Sequence, residues 1–567
     1  MFVKLSKSGQ GNTQNVYLVE GYRDNDGKVK QRIIKKYGLL HELQAKDPNI
    51  LDKLRQAAKA LDNDEVGNLI NLTVNLASTN DQASSTLNYG YFFLESLYNS
   101  LRIPEFIKKA TKGYKHQYDF NEILKLLVFS RILNPASKKE TYEKKDRYFN
   151  SFDFSLDDMY RSLDIINDIK DDFQFHLHEE IKKQYKRDCT LVFYDVTNYY
   201  FETEIEGELK ADGLSKEGKR SPIVQMGLFI DNNGIPIAYR LFRGNTNDQN
   251  TLIPILEKVK EKYNLGKIIV TADKGLNSGK NLAFISSNED GYIVSQKIRG
   301  SKKEFIDYIL NDTDYVYNKN RTFKMKSFIR ERQVKDKDNK LTNLTEKVLC
   351  FWSKDYADRE AHKRGDIEAL IQNFLDNPSK YNASNRFGVK KYLKQIEVDD
   401  ETGEVSKPEY KLSFEQKKYE RDKALDGYYC IITSELELDE EEIIKKYRGL
   451  WRIEESFRVM KSDLEGRPVY VWKDQHIEAH FLTCYVALII SRILQYKLNY
   501  KYSVQKIQES LNGANCKLIT QNIFSLEKQN EIFKEIENLF NVSLDKSNVR
   551  YETIRNYGKQ ILEHNRK

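Results

Sequence analysis

The 567-residue sequence predicts an α/β protein built on a mixed sheet flanked by helices. Three observations carry that prediction. Residues 191–296 read β-β-β-α-β-α-β. An Asn-Asn-Gly turn at 232–234 joins two of those strands as a hairpin. The run Phe481–Leu494 (FLTCYVALIISRIL) is apolar, too short to span a bilayer, and reads as a buried core helix.

Composition sets the outer limits. Apolar residues make up 40% and aromatics 12%, enough for sizeable cores, which excludes wholesale disorder. At roughly 150 residues per domain, the length predicts three or four domains. The balance of 92 basic and 85 acidic residues gives +7, which permits a nucleic-acid partner without requiring one. The five cysteines (189, 350, 430, 484, 516) are widely spaced and never in C-x-x-C. A disulfide framework or zinc ribbon is therefore not expected, and a reducing cytosol fits. The start, MFVKLSKSGQ, has no signal-peptide core. The expectation is a soluble cytoplasmic protein with no membrane association.

Along the chain, residues 1–77 predict a β-hairpin and helix unit. NVYLVEGYR and KVKQRIIKKYG flank the turn DNDG, with Val16, Leu18, Val29 and Ile33 at even spacing. A polar linker follows at 78–87. Residues 88–188 are helical, and the window 101–150 holds 12 Lys/Arg against 6 Asp/Glu. Both a solvated surface and a DNA-binding domain explain that excess. Residues 189–296 form the first part of the core. Residues 297–425 are charged and mixed, with a strand at EKVLCFW, a helix over 355–375 and acidic turns such as VDDETGE. Residues 426–500 return to the core with a strand at DGYYCIITS and one long helix over 441–465. Residues 501–567 are read as a C-terminal helical region.

Two acids stand out. Asp195 ends LVFYD and Asp273 ends KIIVTAD, so both tip strands of one predicted sheet. A carboxylate at the tip of a buried strand needs a positive partner. Hard divalent cations such as Mg²⁺ or Mn²⁺ answer that need, although strand-ending aspartates also cap turns. On helix 441–465, Glu454, Arg458 and Lys461 fall at i, i+4 and i+7, with Tyr447 and Trp451 extending the stripe. That stripe is either a salt-bridge ladder or a metal ligand beside a phosphate clamp. Three carboxylates suffice for two metals about 3.5–4 Å apart, the arrangement for phosphodiester cleavage and strand transfer.

Taken together and in order, YDVT, TADKG and YRGLWRIEESFRVMK resemble the motifs of DDE transposases from bacterial insertion sequences. The similarity is to the group with a β-rich insertion and a Tyr/Arg/Glu/Lys signature. The spacing Tyr, six residues, Glu, six residues, Lys is matched by Tyr447, Glu454 and Lys461. Leu450 stands where the family has Arg, with Arg448 or Arg452 as substitutes. The WRIEESF context assigns the acidic role to Glu454 rather than Glu455. The resemblance spans about 190–495 and implies a ribonuclease H-like catalytic core with 297–425 as the β-rich insertion. It also implies Asp195, Asp273 and Glu454 as catalytic metal ligands for Mg²⁺, with Mn²⁺ substituting. Tyr447, Arg448, Arg452, Arg458 and Lys461 become DNA contacts. Trp352 is a stacking candidate, a core Trp being the plainer reading. The implied activity is cleavage at the inverted repeats ending an insertion sequence, then joining of the 3′-hydroxyl ends to target DNA. The implied assembly is a homodimer on double-stranded DNA in a bacterial nucleoid. A stand-alone nuclease and an inactive DNA-binding descendant are the alternatives.

Three weaker signals are set aside. GLSKEGKRS (213–221) nearly matches a P-loop, but Arg220 fills the Ser/Thr slot and a strand follows. HIEAH places His476 and His480 at i, i+4 without the metalloprotease Glu, so a hydrogen-bonded helix face is expected. GNTND (244–248) leads into a helix, with Asp248 as the expected cap.

Overall fold

The computed structural model describes residues 2–7, 14–23, 29–60, 86–213, 215–216, 218, 221–378, 381, 388–397, 410–520 and 522–564. The chain forms two compact units, residues 1–84 and 85–567.

In the first unit, β1 (Phe2–Lys7), β2 (Gln14–Arg23) and β3 (Val29–Leu39) make an antiparallel sheet, followed by α1 (Leu40–Lys46) and α2 (Ile50–Ala60). The sequence reading found only β2 and β3. Val16 and Leu18 are buried as expected, whereas Ile33 is 63% exposed. The β2–β3 register shifts twice, at Val16/Tyr17 and Leu18/Val19, and each shift breaks the simple alternation. The expected DNDG turn, residues 61–77 and most of the linker lie outside the described residues.

The second unit opens with β4 (Thr86–Asn88), α3 (Tyr91–Ser100), α4 (Ile103–Ala110), α5 (Phe120–Leu133), α6 (Lys138–Glu143) and α7 (Leu156–Tyr185). A capping box starts α7, with the Ser155 and Asp158 side chains each serving the other's backbone N–H. The expected alternation follows: β5 (Leu191–Tyr200), β6 (Ile223–Ile230), β7 (Pro236–Arg243), α8 (Leu252–Tyr263), β8 (Ile269–Ala272), α9 (Gly279–Ser287) and β9 (Gly291–Ser295). Strands β5, β6 and β7 are antiparallel neighbours, and Gly234 supplies the positive φ, +78°, in the Asn-Asn-Gly turn. β8 runs parallel to β5, and β9 parallel to β8. The spatial order β7-β6-β5-β8-β9 is that of a ribonuclease H-like core.

Residues 297–425 are not a separate appendage. They supply α10 (Lys303–Leu310), β10 (Val316–Tyr317), β11 (Phe323–Lys335), β12 (Leu341–Ser353), α11 (Lys354–Asp376), β13 (Leu393–Glu397), β14 (Tyr410–Phe414) and α12 (Gln416–Ala424). The next strand, β15 (Tyr428–Thr433), pairs with both β9 and β12. Strands β10, β11 and β12 thereby extend the core sheet to nine strands. The acidic turn 398–404 lies outside the described residues.

The chain ends with α13 (Glu440–Arg448), α14 (Trp451–Arg458), α15 (Asp474–Lys497), α16 (Val504–Asn512), β16 (Asn515–Thr520), β17 (Ile523–Leu526), α17 (Glu531–Leu539), β18 (Asn548–Arg550) and α18 (Tyr551–His564). The C-terminal region is therefore not purely helical. Its three short strands join β4, more than 420 residues earlier, in a four-stranded sheet, a pairing that local periodicity does not reveal.

Helix α15 is long and apolar enough to cross a membrane, yet it is buried from Ala479 to Gln495 inside the protein. It packs against α5 and α7, so the helical block 88–188 forms one layer on the sheet rather than a free-standing body. Part of that block's basic excess is interior. Lys125 lies 2.9 Å from Glu95 and 2.8 Å from Glu122. Behind α7, Arg187 Nε donates to Asp231 Oδ2 at 2.9 Å, both side chains fully buried.

Candidate active site

Side-chain alternation along β5 divides two cores. Phe193 and Tyr199 enter one with α5, α7 and α15, while Val192, Tyr194 and Val196 enter the other with α8 and α9. Asp195 shares the parity of Phe193, so it points to the side that α14 covers. Phe193 pairs with Thr271 across the parallel β5–β8 ladder. Two residues further on, Asp195 and Asp273 come side by side on the same face.

Asp273 sits just past the end of β8, as expected, but Asp195 does not end its strand. The backbone stays paired with β6 from Asp195–Leu228 to Tyr200–Ile223, so Asp195 lies mid-strand. The expected single helix over 441–465 is also broken. At Gly449 and Leu450 the backbone bonds tighten to three-residue steps, onto Lys446 O and Tyr447 O, both at 3.1 Å. A π turn follows at Val459–Asp463. Gly449 permits the break because its backbone rests on Phe193; a Cβ there would come within 2.3 Å of the ring. Gly449→Ala is therefore expected to destabilise the protein by about 1–3 kcal/mol through overpacking, read as a lower urea midpoint.

These features bring Asp195, Asp273 and Glu454 to the wall of one cavity of about 410 Å³, together with Tyr447, Arg448 and Trp451. Glu454 and Asp273 are exposed and Asp195 is half-buried. Asp273 Oδ1 accepts from Ser295 Oγ at 2.8 Å and from Tyr447 OH at 3.3 Å. Tyr447 gives its one proton there, so Tyr429 OH, 2.8 Å away, donates to Tyr447. Burial pushes the Asp195 carboxyl up to about 6; Lys216 pulls it back, and neighbouring Asp273 adds to the rise. Lys216 Nζ donates to Val196 O at 2.5 Å, which sets a cation beside β5.

The other residues of the stripe part company. Leu450 is buried, and Arg448 reaches the cavity in its neighbourhood. Arg452 stacks its guanidinium over Phe193 and Trp451. Arg458 donates to Asp463 Oδ1 at 3.0 Å and lines a different cavity with Gln508 and Asn512. Lys461, carried off line by the π turn, places its ammonium 5.5 Å from the Tyr199 ring centroid. Neither Arg458 nor Lys461 lines the carboxylate cavity. Glu455 turns inward, and its Oε2 accepts from Arg492 Nη1 at 2.9 Å. The Arg492 side chain is only 2% exposed. Glu455→Ala is expected to lower stability by about 1–3 kcal/mol by stranding that guanidinium, whereas Glu454→Ala leaves the denaturation midpoint unchanged.

The sequence reading missed Ser295, Tyr429, Lys216, Lys274 and Tyr356, all at or beside this cavity. Ser295 ends β9 as Asp273 follows β8, a signal that was available. Tyr429 and Tyr356 had none, since they arrive through β15 and the insertion. Trp352 is half-buried and its indole N–H donates to Asp426 O at 3.1 Å. The cap expected from Asp248 comes instead from Asn247, whose side chain accepts from Gln249 N at 3.2 Å, and Thr251 precedes α8. His480 Nε2 bonds Gly466 O at 3.1 Å, as a hydrogen-bonded helix face requires, whereas His476 Nε2 lies 3.3 Å from Asp164 Oδ1 without a hydrogen bond to it. Strand β6 follows the P-loop-like segment, and residues 214, 217, 219 and 220 of that segment lie outside the described residues.

Residues 202–490 match the family model described as the transposase DDE domain, and the chain belongs to that family. Residues 3–68 match the N-terminal domain of IS1634 family transposases, so the particular protein is an insertion-sequence DDE transposase, a DNA transposase. Asp273 and Glu454 fall inside the DDE-domain match, and Asp195 lies seven residues before it. Among solved structures, a piggyBac transposase synaptic complex with hairpin DNA is similar at 8% identity and TM-score 0.34, covering 83% of this chain and 84% of that one. A Mos1 transposase paired-end complex is similar at 12% identity and TM-score 0.14, covering 32% and 60%. No curated protein sequence matches.

The family's reaction is metal-dependent DNA cleavage and strand transfer. The donor set suits a hard divalent cation: three carboxylates, no thiolate or imidazole, on one cavity wall. Among the described residues no three acidic, His or Cys side chains are already gathered as a ready ligand cluster.

Proposed function

We propose that this transposase cuts at the inverted repeats ending its insertion sequence and joins the freed 3′-hydroxyls to target DNA, with Asp195, Asp273 and Glu454 as the metal-holding residues. The supporting observation is that two neighbouring parallel strands and one helix deliver these carboxylates to a single cavity. We assign Mg²⁺, with Mn²⁺ substituting, because an all-oxygen set with room for water and phosphate is what these ions prefer. When bound, a pair of such ions lowers the pKa of an attacking water or hydroxyl and stabilises the departing oxygen.

The chain's own residues do the positioning. Ser295 and Tyr447 occupy Oδ1 of Asp273, which orients Oδ2 for ligation. Tyr429 fixes the Tyr447 hydroxyl. Arg448, at the cavity wall, and Lys274 beside it supply positive charge for phosphates flanking the scissile bond. Arg452 and Arg458 on α14, with Lys461 on the π turn that follows, carry further positive charge for the DNA backbone, and the exposed lysines of residues 101–150 add a second basic surface. Double-stranded DNA is the partner, and two copies act together because two ends must meet. The site of action is the bacterial nucleoid.

The test uses purified protein, Mg²⁺ and duplexes carrying the short inverted repeats that flank the coding sequence. Expected are cuts at the repeat tips and joining of pre-cut ends to a second duplex. Cutting without joining would identify a stand-alone nuclease. No cutting with either Mg²⁺ or Mn²⁺ would identify an inactive descendant.

A further inference from the structure

A second cavity, of about 290 Å³, opens between α6 and the segment 465–471. Its wall carries Arg131, Lys138 and Arg467. Arg131 and Lys138 are only 6% and 5% exposed. Buried cations are ordinarily met by carboxylates. Here they are not. Arg131 spends its terminal nitrogens on carbonyls of Leu464, Glu465 and Ala136, at 3.4, 3.3 and 3.0 Å, while its buried Nε has no partner. The Lys138 ammonium has one long contact, 3.5 Å, to His480 Nδ1. His480 is neutral: its Nε2–H serves Gly466 O at 3.1 Å, and burial with two adjacent cations drives its pKa far down. Burial and the Arg131 charge push Lys138 down to about 7. The acids at the rim do not pair with Arg131 or Lys138; Glu140 pairs with Lys144 at 2.6 Å, and Glu465 is exposed.

A cavity of this size exceeds the roughly 30 Å³ share of one water several-fold, so it has room for a tetrahedral oxyanion. Its position also points to DNA. The 465–471 segment is tied to β5 where Val469 N donates to Tyr200 O at 3.2 Å. Tyr200 lies five residues beyond Asp195, about 16 Å along the strand, or about five base-pair steps of duplex rise. We propose that Arg131, Lys138 and Arg467 form a seat for a phosphate group, supplied by the backbone of the DNA held at the carboxylate cavity. The DNA source rests on the function proposed above; the phosphate seat rests on the buried Arg131 and Lys138 beside the half-buried Arg467.

Lys138→Met separates a ligand role from a structural one, because Lys138 leaves no carboxylate behind. Fluorescence anisotropy of a duplex carrying one flanking inverted repeat is measured across a salt series. The variant is expected to bind about tenfold more weakly, with a log-affinity against log-salt slope shallower by about 0.9, the signature of one phosphate contact. Its Tm equals or exceeds that of the wild type. In a second arm, inorganic phosphate raises the wild-type Tm saturably over chloride at matched ionic strength, and the variant does not respond. Unchanged DNA affinity and slope overturn the DNA source, and a surviving phosphate response then assigns the seat to free phosphate. A lowered Tm in the variant, or no phosphate response in either protein, overturns the seat itself. Wild-type protein that binds no duplex defeats the DNA reading, and the phosphate arm still decides the pocket.

Discussion

Asp273→Asn is expected to slow DNA cleavage by at least about 10³-fold, or about 4 kcal/mol of barrier, while folding and binding of the repeat duplex persist. The reason lies in what Asn preserves. Its amide oxygen still accepts from Ser295 Oγ and Tyr447 OH, the two bonds that hold Asp273 Oδ1. Its size is the same, and its position beyond β8 needs no charge for packing. Only the anion is lost, and an amide is a poor ligand for Mg²⁺ beside a lone remaining aspartate. The measurement is single-turnover cleavage with Mg²⁺, with duplex binding read in parallel. Wild-type cutting by the variant removes Asp273 from the metal set.

Asp231→Ala is expected to destabilise the second unit by about 3–5 kcal/mol, without touching the carboxylate cavity. Asp231 opens the Asn-Asn-Gly turn. Its Oδ1 accepts from the N–H groups of Asn233 and Ile235, both at 2.9 Å. Its Oδ2 meets Arg187, which also donates to Pro236 O at 2.6 Å and His178 Nδ1 at 3.0 Å. The pair bolts the end of α7 to the β6–β7 turn, far inside the protein. Truncating the acid strands a guanidinium that has no route to water. Urea denaturation of the full chain checks this, and a loss below about 1 kcal/mol would show that His178 and the carbonyl suffice.

Much of the core was legible because its signals are local. The β-β-β-α-β-α-β order rests on short apolar runs and turn residues, each readable within about ten positions. The Asn-Asn-Gly hairpin and the buried helix at 481–494 belong to the same class. The failures share one cause. That Asp195 lies mid-strand depends on how far β6 accompanies β5. The break at Gly449 depends on the Phe193 ring beneath it. The extended sheet needs β15 to pair with β9 and β12, and the C-terminal sheet needs β4 to meet β16. Each is a contact between segments distant along the chain, which periodicity does not encode.

At the candidate site the division is sharper. Three spaced motifs singled out Asp195, Asp273 and Glu454 before any geometry was known. Glu454 and Glu455 are adjacent in sequence, and the Arg492 guanidinium on α15 is what draws one inward and leaves the other facing the cavity. The basic window 101–150 showed only an excess of charge; folding paired Lys125 with two glutamates and left Lys138 buried without one. The amino-acid order thus specified most elements of the core sheet and singled out three candidate acids. The tertiary structure alone decided which side chains share a cavity and which charges stay uncompensated, because burial and Coulomb energy depend on neighbours in space.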